Sequence, residues 1–199
     1  MKFYQEITLI DQAEISPYFI WSKLYAQLHI ALAEHKNANE KGNIGISFPK
    51  YIYEHGDEAK KSKVHLGDKL RIFAEDQAAL ENLNIFQWLE RLTDYVHITS
   101  IREVPENIKG YATYSRKQVK TNAERLARRR VKRGDIGFDE ALARYSNVVT
   151  TTDLPYIQMK SLTSDKSFKL FIEKKNANQS ENQVFSTYGL SSESSVPEF

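Results

Sequence analysis

Residues 3–34 read FYQEITLIDQAEISPYFIWSKLYAQLHIALAE, and two hydrophobic periods follow one another in them. From Phe3 to Ile10, Ile7 and Leu9 alternate with polar neighbours, the two-residue repeat of a strand with one buried face. Ser16-Pro17 then supplies an N-cap followed by a proline at the first helical position, where its missing N–H costs nothing. Beyond that point Ile20, Leu24, Leu28, Ala31 and Leu32 recur at helical spacing to about Glu34, flanked by Trp21 and Tyr25.

The next seventy residues add two strands, a helix and a fourth strand. After a polar turn at 37–43, Ile44-Gly-Ile-Ser-Phe48 alternates as a second strand and stops at Pro49. Residues 50–66 are charged and aromatic without a period, which predicts a loop. Lys69 to Ala74 is a third strand with Leu70 and Ile72 on one face. Glu75 and Asp76 open a second helix carried by Leu80, Leu83, Trp88, Leu89 and Leu92. Val96 to Val104 forms a fourth strand ending at Pro105. The order β-α-β-β-α-β predicts an α+β chain whose residues 1–105 form a ferredoxin-like domain. That fold hosts many unrelated functions, so it names none. The third strand, LRIFA, lacks the aromatic RNP1 pattern of RNA-recognition motifs.

Past a linker at 106–110, residues 111–199 are expected to form a smaller C-terminal α/β domain. Tyr111–Gln118 reads as extended and leads into a basic helix at 121–133. Phe138–Tyr145 suggests a shorter helix. Pro155–Ser161, Ser167–Glu173 and Gln183–Leu190 are β-like, with the polar loop KKNANQSEN at 174–182 between the last two.

The basic helix is the feature that asks for a partner. Residues 116–133 hold nine Lys and Arg against one acid, a net +8 in a chain whose total is +2, so the remainder carries −6. Thr121-x-x-Glu124 has the form of a capping box, and Gly134 stands where a helix would stop. Arg125, Arg128, Arg129, Lys132 and Arg133 share one face, opposite Ala123, Ala127 and Val131. Charge runs are usually solvated faces of mixed sign, because like charges at i,i+4 repel. Five like charges in one arginine-dominated stripe point instead to nucleic acid, RNA or DNA. The opposite face is small and Ala-rich, too poor in large apolar groups to enter a membrane surface.

Composition narrows the chemistry. The chain has no cysteine, which removes disulfides, thiolate metal sites and cysteine nucleophiles. No apolar run approaches a membrane span, and MKFYQEITLI does not resemble a signal peptide, so a cytoplasmic location is expected. None of His29, His35, His55, His65 and His97 forms an HxxxH or HExxH pair, and no acidic cluster has two-metal spacing, so neither metal nor cofactor is expected. A nuclease here would work without metal, using the 2′-OH of RNA as nucleophile and a histidine as base. From pattern alone, His29 reads more readily as a boundary histidine than as a catalyst. Ser161, Thr163 and Tyr188 are ordinary strand and turn residues. The residues themselves lead to a basic-helix RNA or DNA binder, either a metal-free ribonuclease or a non-catalytic assembly subunit.

A resemblance goes further. KLYAQLHIAL at 23–32, IGISFP at 44–49, SRKQVKTNAERLARRR at 115–130, DLPYIQMKSLTSDKSFKLFI at 153–172, TYGLSS at 187–192 and the final VPEF resemble, in order, the CRISPR repeat-processing endoribonucleases of subtype I-F. The resemblance implies an enzyme that cuts the repeat stem-loop at its 3′ base, without metal. It also implies one that stays on the crRNA as a subunit of the surveillance complex. By position, His29 is similar to the family's general base, Ser161 to the serine that holds the ribose, and Tyr188 to a tyrosine that orients the histidine. Arg116 and Gln118 resemble a pair reading base edges, and Phe168 an aromatic stacked under the terminal base pair. Lys120, Arg125, Arg128, Lys132 and Arg133 would contact phosphates, and Arg129 would also approach bases. Lys132 replaces an arginine of the family pattern, keeping the charge and losing the bidentate fork. Thr163 replaces a serine and keeps the hydroxyl.

Overall fold

The computed structural model of the chain describes residues 1–36, 41–54, 56, 63–119, 123–146, 152–161 and 163–199. Lys120, Thr121 and His55 fall outside them, as does the side chain of Arg125. The chain is mixed α/β.

Strand β1 (Phe3–Leu9) feeds helix α1 (Pro17–Glu34). The Ser16 side chain accepts the Tyr18 N–H and Pro17 sits in the first turn, so the N-terminal signals act as read. The apolar face also behaves as read: Ile20, Leu24, Leu28, Ala31 and Leu32 are buried, with Trp21 and Tyr25. Two-residue β2 (Lys41–Gly42) and β3 (Gly45–Ser47) follow. The expected loop at 50–66 contains an antiparallel pair, β4 (Ile52–Glu54) with β5 (Lys63–His65). Three residues per strand are too few to display a period, which is why the sequence pattern did not reveal it.

Strand β6 (Lys69–Ala74) lies where expected, with Leu70 and Ile72 buried. The expected second helix is broken into α2 (Gln77–Leu83), α3 (Ile85–Trp88) and a 3₁₀ turn at Glu90–Leu92. Asn84 is left-handed at φ 45°, the conformation asparagine tolerates best among non-glycine residues, and it ends α2. The fourth strand is also split, into β7 (Val96–Ile98) and β8 (Arg102–Glu103), both antiparallel to β1. Ile7 faces Ile98 while Tyr4 faces Arg102, so one extra residue is taken up between them, a β-bulge. The first sheet has the order β3-β6-β1-β7.

Strand β9 (Gly110–Lys117) precedes helices α4 (Ala123–Val131) and α5 (Phe138–Ser146). Then come β10 (Tyr156–Lys160), β11 (Ser167–Ala177), β12 (Phe185–Ser186) and β13 (Val196–Glu198). Strand β11 absorbs the start of the expected polar loop, and the expected run at 183–190 pairs only over β12, against β2. β13, unforeseen because it contains Pro197, pairs with β9 at the edge of a second sheet ordered β10-β11-β9-β13.

Compact units fall at different points from the expected division after residue 105. One is Met1–Arg116 together with Leu154–Phe199, and the other is Lys117–Asp153. In the first, a single core takes Leu24, Tyr25 and Leu28 from α1. It adds Ile7, Leu70 and Ile72 from the first sheet and Ile157, Leu170 and Ile172 from the second. In the second unit α4 and α5 pack on each other, with Ala127 and Ala141 fully buried.

A charged cluster ties the first unit's C-terminal residue to its sheet. Glu6 on β1 accepts from Lys69 Nζ and from Arg71 Nε at 2.7 Å, and Arg71 Nη1 donates to the Phe199 carbonyl at 2.8 Å. The Arg71 guanidinium also lies 3.9 Å from the Phe199 ring centroid. Burial works against the Glu6 carboxylate, yet the bonds from Lys69 and Arg71 outweigh it and hold its pKa below the ordinary range. A lowered carboxylate pKa stabilises the fold above the unfolded pKa, and that contribution is lost as pH falls through the folded value. Glu6→Gln should therefore cost about 2 kcal/mol at pH 7, a fall of about 4–8 °C in Tm. The gap from wild type should narrow as melts are taken at progressively lower pH and the folded carboxylate takes up its proton.

Candidate active site

Three polar side chains of α1 stand at 22, 25 and 29, spaced by three and four residues and so on one face. Each meets a backbone carbonyl. Ser22 Oγ donates to Gln158 O at 2.6 Å, Tyr25 Oη to Tyr188 O at 2.8 Å, and His29 Nδ1 lies 2.9 Å from Thr187 O. The first bond holds the helix to β10 and the other two hold the turn after β12.

The third bond decides the chemistry of His29. A carbonyl oxygen accepts and never donates, so Nδ1 carries the hydrogen. A neutral imidazole then has its lone pair on Nε2, which among the described residues makes no hydrogen bond. His35 contrasts with it: both ring nitrogens meet carbonyls, of Ala31 and Asn82, and it serves the end of the helix.

Tyr188 covers the His29 ring. The two rings are 4.0 Å apart between centroids and 4° from parallel. Contact is through the ring face. The Arg116 guanidinium, on β9, lies 5.5 Å from the Tyr188 centroid and 5.2 Å from that of Phe168, on β11. Four residues singled out from the sequence therefore form one run: His29, Tyr188, Arg116 and Phe168. Arg116 is exposed and the other three are half-buried.

The turn that presents Thr187 and Tyr188 is tightly constrained. Gly189 donates to Ser186 O at 2.8 Å and accepts from Ile46 N–H at 3.1 Å, and Ser186 Oγ donates to Leu190 O at 2.9 Å. Gly189 has φ +69°, and a Cβ there would stand 2.7 Å from Ile46 Cγ2. The buried Tyr25 completes the turn from below, and burial pushes its phenol pKa well above the ordinary range. Sequence reading placed Tyr25 only as an apolar flank and passed over Ser22. Their signal was their spacing with His29 along the border of the buried face.

Other expected residues lie elsewhere. Ser161 belongs to the β10–β11 turn, where its hydroxyl engages Thr163 Oγ1 at 3.3 Å and the Ser164 N–H at 3.3 Å. Gln118 is exposed just past β9. Arg128 and Arg129 are exposed at the end of α4 and Lys132 and Arg133 just past it, before Gly134 at φ +84°. Arg128 is bonded to Glu124 at 2.9 Å, the acid expected to complete the capping box. An exposed pair of this kind holds less than about 1 kcal/mol, little enough for a phosphate to displace. Arg130 is bonded to Asp135. No group of three or more His, Asp or Glu suited to a metal occurs among the described residues, and no described helix is long and apolar enough to cross a membrane.

A family model described as CRISPR-associated protein (Cas_Csy4) matches residues 4–199. The "CRISPR-associated endonuclease Cas6/Csy4" of Escherichia coli (strain UTI89 / UPEC) is 37% identical over 201 residues, covering 100% of both chains. A protein of the same description from Pseudomonas aeruginosa (strain UCBPP-PA14) is 34% identical, also over 100% of both. A solved structure described as "An RAMP protein binding different RNA substrates" covers 99% of each chain at 11% identity and TM-score 0.38, too distant to carry an argument.

Gly189→Ala tests the turn. With a left-handed φ and a close contact both opposed, it should cost about 2–4 kcal/mol, read as a lowered midpoint in urea melts. An unchanged midpoint would mean that the turn is not held as described.

Proposed function

The chain belongs to the CRISPR-associated Cas_Csy4 family, and on that premise we propose that it is the endonuclease that cuts CRISPR repeat RNA at the 3′ base of the repeat stem-loop. The observation that carries this is the His29 ring, committed through Nδ1–H to Thr187 O, stacked on Tyr188 and left with Nε2 to accept a proton.

The chemistry needs no cofactor or metal. His29 Nε2 takes the proton of the 2′-OH next to the scissile phosphate, and O2′ attacks phosphorus. The P–O5′ bond breaks, giving a 2′,3′-cyclic phosphate and a 5′-OH that recovers a proton from the imidazolium or from water. Ser161 holds the ribose so that O2′ approaches in line, the positioning on which such a reaction depends. Tyr188 orients His29 through its ring face. Phe168 and Arg116 form the floor on which the last base pair of the stem rests, with Arg116 and Gln118 reading base edges.

Fold and charge support the same reading. We read the first sheet as a ferredoxin-like domain, supported by the order β3-β6-β1-β7, antiparallel throughout, with α1 and α2 as the two crossovers. We take residues 111–199 as the RNA-binding region and the helix around Ala123–Val131 as its arginine-rich grip. Lys120, Arg125, Arg128, Lys132 and Arg133 bind phosphates there, while Arg129 also approaches bases. The A-form major groove is too deep and narrow for side chains except near a stem end or loop, so recognition is confined to one short hairpin. The protein acts in the cytoplasm and stays on the crRNA product as a subunit of the type I-F surveillance complex.

The decisive assay incubates the protein with its host's repeat RNA in excess EDTA. Cleavage is expected from the wild type. It should fall at least about a hundredfold both in His29→Ala and on a substrate with 2′-deoxyribose at the cut site, hairpin binding being kept in both. Full cleavage in either arm would overturn the mechanism; binding without cleavage under any condition would favour a non-catalytic assembly subunit.

Neutralising Arg129, Lys132 and Arg133 should leave the chemical step intact and weaken binding. The slope of log affinity against log salt should flatten by roughly 0.7–0.9 per lost phosphate contact. An unchanged slope would remove α4 from the interface.

A further inference from the structure

Among the described residues the Tyr25 hydroxyl has one hydrogen-bond partner, the Tyr188 carbonyl at 2.8 Å, and packing does not require it, since phenylalanine would fill the same fully buried space. Tyr25 and His29 stand one turn apart on α1 and hold consecutive carbonyls, 188 and 187. Fixing the 188 carbonyl fixes the plane of the peptide joining Tyr188 to Gly189, whose N–H is spent on Ser186 O. The orientation of the preceding carbonyl, that of Thr187, is then restricted as well, and it is this oxygen that keeps the hydrogen on His29 Nδ1.

We propose that Tyr25 is a positioning residue: by holding the 187–189 turn it selects the His29 tautomer that leaves Nε2 free to take a proton. The inference rests on the reading of His29 as the base. An unconstrained imidazole side chain prefers the opposite tautomer, with the hydrogen on Nε2, in which that nitrogen cannot act as base. Burial pushes the Tyr25 phenol pKa up, which favours the protonated form that donates. Tyr188 gains from the same bond, because Tyr25 holds its backbone while its ring stacks on His29.

Tyr114 supplies the control. It too is a buried tyrosine bonded to a backbone carbonyl, that of Phe48 at 3.3 Å, and also to Glu198 at 2.7 Å. The experiment compares the wild type, Tyr25→Phe and Tyr114→Phe in the full chain. Three quantities are read: the His29 ring nitrogen shifts by long-range ¹H–¹⁵N correlation without RNA, the single-turnover cleavage rate at saturating protein, and hairpin affinity. In the wild type the shifts should report one tautomer with the hydrogen on Nδ1. Tyr25→Phe should move them towards a mixture and slow cleavage about tenfold, with affinity within about twofold. Tyr114→Phe should leave both the shifts and the rate unchanged.

A wild-type ring already mixed or protonated on Nε2 would overturn the proposal without reference to any variant. So would a Tyr25→Phe protein with unchanged shifts, or one slowed no more than Tyr114→Phe. Tautomer shifts that move as expected while His29→Ala still cleaves would keep the clamp and remove the base, so the two claims fail separately.

Discussion

A histidine bonded through one nitrogen to a backbone carbonyl has only its other nitrogen to offer, and the described site is built around that commitment. Thr187 O is useful to His29 only if the turn holding it cannot drift. The turn is held by Tyr25 from the helix, by Ile46 N–H from the first sheet and by its own Ser186–Leu190 bonds. Gly189 lets all three be satisfied together, since any side chain there would meet Ile46. The precision of the candidate base therefore depends on residues from α1, β3 and the chain after β12, the last more than a hundred positions from the other two.

That dependence explains why the C-terminal strands share a core with the first sheet. The tie formed by Glu6, Arg71 and Phe199, and the bond from Ser22 to β10, bring the second sheet to the helix that carries His29. The basic stripe lies in the other compact unit, 117–153, whose small alanine-based interface leaves the cations outside. On the proposed reading, affinity comes from charge on one unit and bond breaking from hydrogen-bond geometry in the other. Substitutions in one should then leave the other's contribution intact.

Much of the fold was legible because its signals are local. Ser16-Pro17, the 3.6-residue face of α1 and the alternation at 69–74 each declare an element within a few residues. The broken second helix, the bulge after Ile98 and the 52–54/63–65 pair were not legible, because Asn84, Thr99 and three-residue strands carry no period. The site divides in the same way. Neither the ring stack of His29 on Tyr188 nor the Arg116–Phe168 contact can be read from spacing, since their partners come from distant strands. Those residues were picked out by family resemblance, which preserves the outcome of such packing without describing it. Tyr25 escaped because a buried tyrosine on an apolar flank looks like core until its hydroxyl's partner is known.

On the proposed reading His29 is a base acting on a nucleophile that the RNA itself supplies, and the ends of the cut RNA record whether this is so. The most direct measurement is mass spectrometry of both fragments from a single-turnover reaction on the repeat hairpin. A 2′,3′-cyclic phosphate on the upstream fragment and a 5′-hydroxyl on the downstream one are predicted. An upstream 3′-hydroxyl with a downstream 5′-phosphate would mean that water attacked instead, and would contradict the role given to His29.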